Sequence, residues 1–428
     1  MYLTGESMII KNVSISNFKG IEECSLELQS GMNLIIGDNG YGKTSILEAI
    51  SVCLGGYIAG IENITTKHFL EDEIRVVLEK TGSASYNKRY ITPISVGCEA
   101  EIEGESYKWT RRKNSIKASR STVEPRDVCK KAFSMANEKG HVLPILSYQS
   151  TARMWMQKKE SSEDVFAKEF YRTVGYEGCL AEASNIKMMM NWVRRMERIE
   201  WKTKQEVVEY KAVKDVLCHF MNLMEEGIEK VEYDEISDEL VYSTKNMTLP
   251  IRNLSSGYQS LIWMVLDIAY RMAVLNPDLM EKINETPGVV LIDELDMHLH
   301  PKWQWNIVKA LKDTFPNVQF IAATHSPIII SSCKQDNLIT ISKTGEISYA
   351  VTPYGFDVNE ILSVFQGSYI MAEDVERLFK SFYQNLDAEK YDVAEKQLEQ
   401  LKEMAGENNP KITGAEMALE LEQIPLED

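Results

Sequence analysis

The sequence has no apolar run approaching the roughly 18 residues of a membrane span, and its start, Met1-Tyr2-Leu3-Thr4-Gly5-Glu6, has no basic-then-apolar leader shape. A cytoplasmic protein is expected, with no membrane partner. Cysteine offers no scaffold: the seven, at 24, 53, 98, 129, 179, 218 and 333, are an odd and scattered set without a Cys-x-x-Cys pair. Neither a disulfide framework nor a zinc ribbon is indicated. Basic charge is short as well, since 47 Lys and Arg face 64 Asp and Glu for a net charge of −17. That excludes a basic coat over the whole surface, so any nucleic-acid contact requires a local patch. There is no internal repeat and no low-complexity tract. What remains, 44% hydrophobic and 26% charged over 428 residues, is the composition of a globular chain of about two or three domains.

Residues 10–15 alternate apolar and polar, and Cys24 to Leu28 alternate again, which predicts two antiparallel strands joined by a turn at Phe18-Lys19-Gly20. Met32-Asn33-Leu34-Ile35-Ile36 reads as a buried strand running into a Gly-rich loop, then a helix from Lys43 to about Leu54. Further strands are expected over 85–112, with turns at Gly97 and Gly104. Residues 162–230 have helical periodicity, with Trp192, Val193, Met196 and Ile199 on one face. Val289–Ile292 and Val318–Ala323 are short continuous apolar runs, as in strands buried on both faces of a parallel sheet. This order is an α/β layout.

Gly37-Asp38-Asn39-Gly40-Tyr41-Gly42-Lys43-Thr44 fits G-x-x-x-x-G-K-[ST] between an apolar strand and a helix. Glycines are needed there because backbone N–H groups must turn inward around a phosphate without a Cβ in the way. Asn39, Gly40, Gly42, Lys43, Thr44 and Ser45 are the expected nucleotide contacts, Lys43 reaching the terminal phosphates and Thr44 supplying a hydroxyl to Mg²⁺. The run Val289 to Ile292 ends in Asp293-Glu294, which places Asp293 to hold Mg²⁺ and Glu294 to orient or deprotonate the attacking water. Ser255-Ser256-Gly257 precedes an apolar helix and forms a second anion site at a helix N-terminus, or a simple cap. Thr324-His325-Ser326 follows the second buried strand, where an imidazole meets a γ-phosphate or serves only structure.

The order P-loop, Ser-x-Gly, Asp-Glu, His resembles the ATP-binding-cassette ATPases, within them the SMC-like heads, RecF-like repair proteins and OLD-family nucleases. The resemblance covers roughly 8–60 and 245–330. It implies an α/β, ABC-type P-loop head with a mixed, largely parallel core sheet plus antiparallel N-terminal strands. It also implies that Ser255 and Gly257 contact the γ-phosphate held by a second subunit, so that two heads enclose two ATP molecules. By the same resemblance Lys43, Glu294 and His325 are catalytic, Thr44 and Asp293 hold Mg²⁺, and Gln149 is the Q-loop glutamine that completes the nucleotide site. Asp293-Glu294-Leu295-Asp296-Met297-His298-Leu299-His300-Pro301 looks like the D-E-x-x-x-x-L-H-P run of the OLD-like branch. His298 and His300 there are better read as a subunit-facing D-loop than as zinc ligands.

Departures narrow the resemblance. Only 211 residues separate Thr44 from Ser255, without sustained heptads, and the 103 after His325 hold no Asp-x-Asp, so neither a long coiled coil nor an intrinsic nuclease is expected. Such a chain resembles the stand-alone ATPase subunits of antiphage systems. Pro353 to Leu362 and the Glu-rich stretch beyond look like the C-terminal region of Septu and retron-associated ATPases. The partners this implies are a second copy of the chain, a separate HNH endonuclease and, in retrons, a reverse transcriptase with its msDNA. A RecF-like ATP-dependent DNA-binding repair protein is the alternative.

Four segments are expected: an N-terminal part of the head over 1–150, a helical insertion over 151–245, a C-terminal part of the head over 246–350 and an acidic helical tail over 351–428. From Met371 onward there are fifteen acids and six bases, more than half of the net −17. That tail suits the docking of a basic protein. Lys108 to Arg120 holds six bases and no acid with Trp109 among them, a candidate DNA surface or a solvated hairpin. Arg194, Arg195, Arg198 and Lys202 form a weaker candidate.

Overall fold

The computed structural model describes residues 8–80, 86–154, 171–182, 186–350, 353–365, 371–406 and 409–423. In chain order the elements are β1 (Ile9–Phe18), β2 (Ile21–Glu27), β3 (Met32–Ile36), α1 (Lys43–Ile58), β4 (Val76–Lys80), β5 (Tyr86–Tyr90), β6 (Ile94–Ile102), β7 (Glu105–Lys113), β8 (Thr122–Glu124), α2 (Asp127–Asn137) and β9 (Ile145–Gln149). Then come α3 (Ile186–Thr203), α4 (Val208–Leu223), β10 (Ile228–Asp234), β11 (Glu239–Thr244), β12 (Thr248–Pro250), α5 (Ser256–Leu275), β13 (Gly288–Ile292), α6 (Pro301–Thr314), β14 (Val318–Thr324), α7 (Pro327–Ser332), β15 (Asn337–Ile341) and β16 (Ile347–Ala350). Helices α8 (Val358–Val364), α9 (Glu373–Asp387), α10 (Tyr391–Ala405) and α11 (Pro410–Glu422) close the chain. It divides into two compact units, the second beginning at Asp357.

The core sheet runs β16-β15-β3-β14-β13-β9. All its pairings are parallel except β15 with β16. Its apolar runs are buried on both faces, as the continuous hydrophobicity of β3, β13 and β14 requires. An antiparallel sheet, β2-β1-β6-β7-β8, faces it. Helix α1 lies between the two and is buried nearly all round, from Ile46 to Ile58, so its sequence lacks a polar face. The P-loop helix is therefore the centre of the core, not a surface element.

Two expectations are corrected. Gly97 is not a turn: it sits mid-strand in β6 between Ser14 and Thr110, where a Cβ would stand 2.5 Å from Ser14 Oγ. Among the described residues of the 151–245 insertion the α-helices are α3 and α4, and β10, β11 and β12 form a three-stranded sheet across its end. Ile228 and Val231 of β10 and Leu240 and Tyr242 of β11 are buried there, the β11 pair at period-two spacing, among frequent Glu and Asp. On α3 the expected face is buried at Trp192, Val193 and Met196, with Ile199 half-buried; the expected helical stretch over 162–170 lies outside the described residues. Trp192 packs edge-on against Tyr210 of α4 and Tyr270 of α5, tying the insertion to the head.

The basic segment is divided by the strand that carries its first half. Along β7 the side chains alternate, so Trp109, Arg111 and Lys113 turn into the core while Lys108 and Arg112 face water. Trp109 Nε1 donates to Cys53 O at 2.9 Å, and Arg111 spans to the Lys67 carbonyl and to His68 Nδ1 at 3.1 Å. Arg111 and Lys113 are thus taken into the core, whereas Lys108, Arg112, Lys117 and Arg120 stay exposed, so four of the segment's six bases remain on the surface. Arg194 of the second candidate is gripped by both oxygens of Asp238, at 2.7 and 2.8 Å. All seven cysteines are free, and no helix among the described residues is long and apolar enough to cross a membrane.

Candidate functional site

Parallel pairing brings the predicted residues to one edge of the core sheet. Ile36 of β3 lies opposite Thr324 of β14, Ile292 of β13 opposite Ala322, and Gln149 of β9 opposite Ile292. The P-loop, His325, Asp293 and Gln149 therefore emerge from four adjacent strand ends, where ligands bind open α/β sheets.

The loop has the backbone its glycines allow. Gly37, Gly40 and Gly42 have φ of 154°, 85° and 92°, and a Cβ on Gly37 would meet Ile341 O at 2.9 Å. Asn39 and Gly40 are exposed and Ser45 is half-buried, so the crest opens to solvent at the N-terminus of α1. Lys43 is buried inside, its Nζ donating to Gly37 O at 2.7 Å and Asp38 O at 3.0 Å. Burial lowers its pKa against the opposing pull of Asp293, Asp38, Asp296 and Glu294. A desolvated ammonium held by two carbonyls at the N-terminus of a helix suits an anionic group such as phosphate.

Thr44 Oγ1 donates to Asp293 Oδ1 at 3.1 Å, and the Asp293 amide donates to Gln149 O at 2.9 Å. Hydroxyl and carboxylate oxygens side by side next to the phosphate cradle suit Mg²⁺, which takes few protein oxygens and completes its shell with phosphate and water. The donor set fits the metal. Among the described residues no group of three His, Cys, Asp or Glu gathers to hold an ion, and His300 caps α6, its Nδ1 accepting from Lys302 N at 3.3 Å.

Glu294 is exposed with φ of 46°, and His298 follows at φ 62°. Two non-glycine residues in the left-handed region within five positions mark a segment shaped by more than local preference. Asp296, which sequence reasoning passed over, secures it: its Oδ1 accepts from Thr324 Oγ1 at 2.5 Å and from His325 N at 3.1 Å. Asp296 lies three positions after Asp293, one turn into the loop, and that spacing was the available signal. His325 is half-buried with Nδ1 3.5 Å from Lys43 Nζ, and burial together with the Lys43 charge lowers its pKa.

Gln149 behaves differently. Its side-chain amide donates to Asp267 Oδ2 at 2.8 Å and Ser147 Oγ at 2.9 Å, so its amide group is turned to α5. Asp267 also pairs with buried Arg271 at 3.0 Å, an (i, i+4) couple in an otherwise apolar helix. Ser255 and Ser256 are exposed at the start of α5, whereas Gly257 is buried against the Asp293–His300 loop, where a Cβ would meet His298 O at 2.5 Å.

The AAA-domain family profile matches residues 12–246, and a second AAA-domain profile matches 217–331. The chain is 27% identical to the "Retron Vc95 probable ATPase" of Vibrio cholerae, over 89% of this chain and 85% of that protein. It is 24% identical to the Septu protein PtuA of Bacillus thuringiensis, over 88% of this chain and 93% of that one. In fold it is similar to the crystal structure of the SMC head bound to the C-winged helix domain of ScpA, with a TM-score of 0.50, 15% identity, and coverage of 80% of this chain and 97% of that one. With its P-loop, Asp293-Glu294 edge and SMC-head fold in place, the chain belongs to the AAA-domain ATPase family.

Proposed function

We propose that the protein is an ATP-binding and ATP-hydrolysing sensor subunit of a bacterial antiphage defence complex. The observation that carries this is the convergence of Lys43, Thr44, Asp293 and His325 at one sheet edge while Ser255 stays exposed on the same unit. Lys43 and the loop amides bind the phosphates, Thr44 and Asp293 would hold Mg²⁺, and Glu294 orients water for in-line attack at the γ-phosphorus and takes its proton as the bond to the β–γ bridging oxygen breaks and ADP leaves. The bound ion would neutralise charge developing on the phosphate oxygens. Neutral His325 donates a hydrogen bond to the γ-phosphate through Nε2–H while Nδ1 faces Lys43.

Ser255 and Gly257 serve the γ-phosphate of a second copy, so two heads close around two ATP molecules. Likeness over nine-tenths of the chain to proteins named for retron and Septu systems supports the assignment to defence. The effector is a separate HNH-type nuclease, with a reverse transcriptase and msDNA added in a retron setting. The acidic unit from Asp357 is the docking element. Replacing Lys43 or Glu294 by Ala is expected to abolish ATP turnover and phage protection together. Unchanged hydrolysis in both variants would overturn the site assignment. A RecF-like repair role instead requires tight, salt-sensitive DNA binding by the isolated chain in ATP.

A further inference from the structure

The loop between α4 and β10 makes contacts that neither the phosphate site nor the family pattern explains. Glu225 and Gly227 both have positive φ, 65° and 56°, and the kink turns Glu226 back onto the head. One Glu226 oxygen accepts from Tyr258 Oη, and the other accepts from Trp303 Nε1 at 2.6 Å. Tyr258 follows Gly257 directly, and Trp303 lies on the first turn of α6, just after the Asp293–His300 loop. The two rings meet edge to face at 4.6 Å, and Tyr242 of β11 meets Tyr258 at 6.2 Å. Next to this, Glu225 pairs with Lys302 at 2.9 Å. A Cβ on Gly257 would lie 3.2 Å from the Trp303 ring, so signature loop and clamp have no slack between them.

We infer that Glu226 is a positioning residue: it fixes the signature loop against the Asp293–His300 loop and so sets the surface this chain offers to the nucleotide of a second copy. A charged carboxylate accepting two strong donors holds its partners more tightly than neutral pairs do. It touches no phosphate and acts only through Tyr258 and Trp303. The insertion containing α3 and α4 thereby gains a direct mechanical link to the trans-acting surface. A change in the insertion is transmitted to dimerisation, not to ATP capture by Lys43.

The inference rests on the proposed ATP-driven pairing of heads, and its test separates the two. In full-length Glu294→Gln protein, where turnover is blocked, ATP and Mg²⁺ should produce dimers in sedimentation velocity. Adding Glu226→Ala should leave ATP affinity within about twofold while weakening dimerisation by about tenfold or more, the scale of a misplaced contact surface. Trp303→Phe in the same background, which removes one donor and keeps a ring, should weaken dimerisation in the same direction. Dimerisation as tight as in Glu294→Gln alone would overturn the role of Glu226. So would an equal loss of ATP affinity, since that marks a general structural lesion. If Glu294→Gln itself stays monomeric in ATP, the pairing of heads fails and this inference with it.

Discussion

Thr44 at the start of α1 and Asp293 at the end of β13, 249 positions apart in sequence, meet at 3.1 Å. The hydroxyl donates and the carboxylate accepts, so both oxygens are already at the separation a shared cation needs. Asp293→Asn keeps an acceptor for Thr44 but removes the charge that attracts Mg²⁺. Nucleotide binding should survive while its Mg²⁺ dependence collapses, from about tenfold or more to near unity. Titrating a fluorescent ATP analogue with and without Mg²⁺ checks this.

Most of the phosphate side of the site was legible in the sequence, because its elements carry strong local signals. A glycine loop must have glycines where φ is positive, and β13 and β14 must be apolar throughout where both faces are covered. The residues that orient the site were less legible. Asp296, Asp267 and Glu226 act across tens to hundreds of positions, and an acidic residue in a chain with 64 of them carries no local mark of its partner. Composition could not divide the bases of β7, where strand alternation turns Arg111 and Lys113 inward and leaves Lys108 and Arg112 exposed. It misled over β10 and β11, where the strands lie among frequent Glu and Asp.

His325 gives the stability a pH dependence of definite sign. Burial and the Lys43 charge lower its folded pKa below that of the unfolded chain, so the folded state binds its proton less readily. Its contribution is full above the unfolded pKa of about 6.5 and is lost as pH falls toward the folded value. His325→Gln, which keeps a hydrogen-bonding amide without titrating, should lose less stability than the parent between neutral and mildly acidic pH. Urea midpoints at two pH values measure the difference.

Gly257 is buried with no room for a methyl group, since its Cβ would lie 2.5 Å from the backbone oxygen of His298. Gly257→Ala must push the signature loop away from the Asp293–His300 loop. Overpacking of this kind costs about 1–3 kcal/mol. The denaturation midpoint should fall, and ATP turnover should fall more than ATP affinity, because the phosphate cradle around Lys43 is untouched. Equal losses in both would place the lesion in the P-loop itself.

The two sides of β7 make a paired test. Trp109 is 1% exposed under α1 with its indole N–H satisfied by Cys53 O, so Trp109→Ala should cost about 3–5 kcal/mol. Lys108 and Arg112 are exposed, and Lys108 faces Glu99 in an open ion pair worth little. Replacing both by Ser should leave stability within about 0.5 kcal/mol. Gel shifts on short duplex DNA with this double variant should match the parent; a large, salt-sensitive loss of binding would mark the segment as a nucleic-acid surface.

The second unit carries its own reason to fold. Phe382, Ala394, Leu401, Ile412 and Ala415 are buried with one another from α9, α10 and α11, and Asp357 opens the unit with a capping box that accepts from Asn359 N at 2.7 Å and Glu360 N at 2.9 Å. A unit with an apolar core of its own can fold without its neighbour. A chain ending at Phe356 should therefore keep the head's unfolding transition and its ATP turnover. If the proposed nuclease partner docks through basic charge, the truncated chain should lose its capture, because the net −9 carried from Met371 onward goes with it. Replacing exposed Glu373, Asp374 and Glu376 by Gln in the full-length chain separates charge from shape: salt-sensitive weakening of capture with an unaltered melting curve marks an electrostatic dock, whereas nuclease capture by the truncated chain would place the dock on the head.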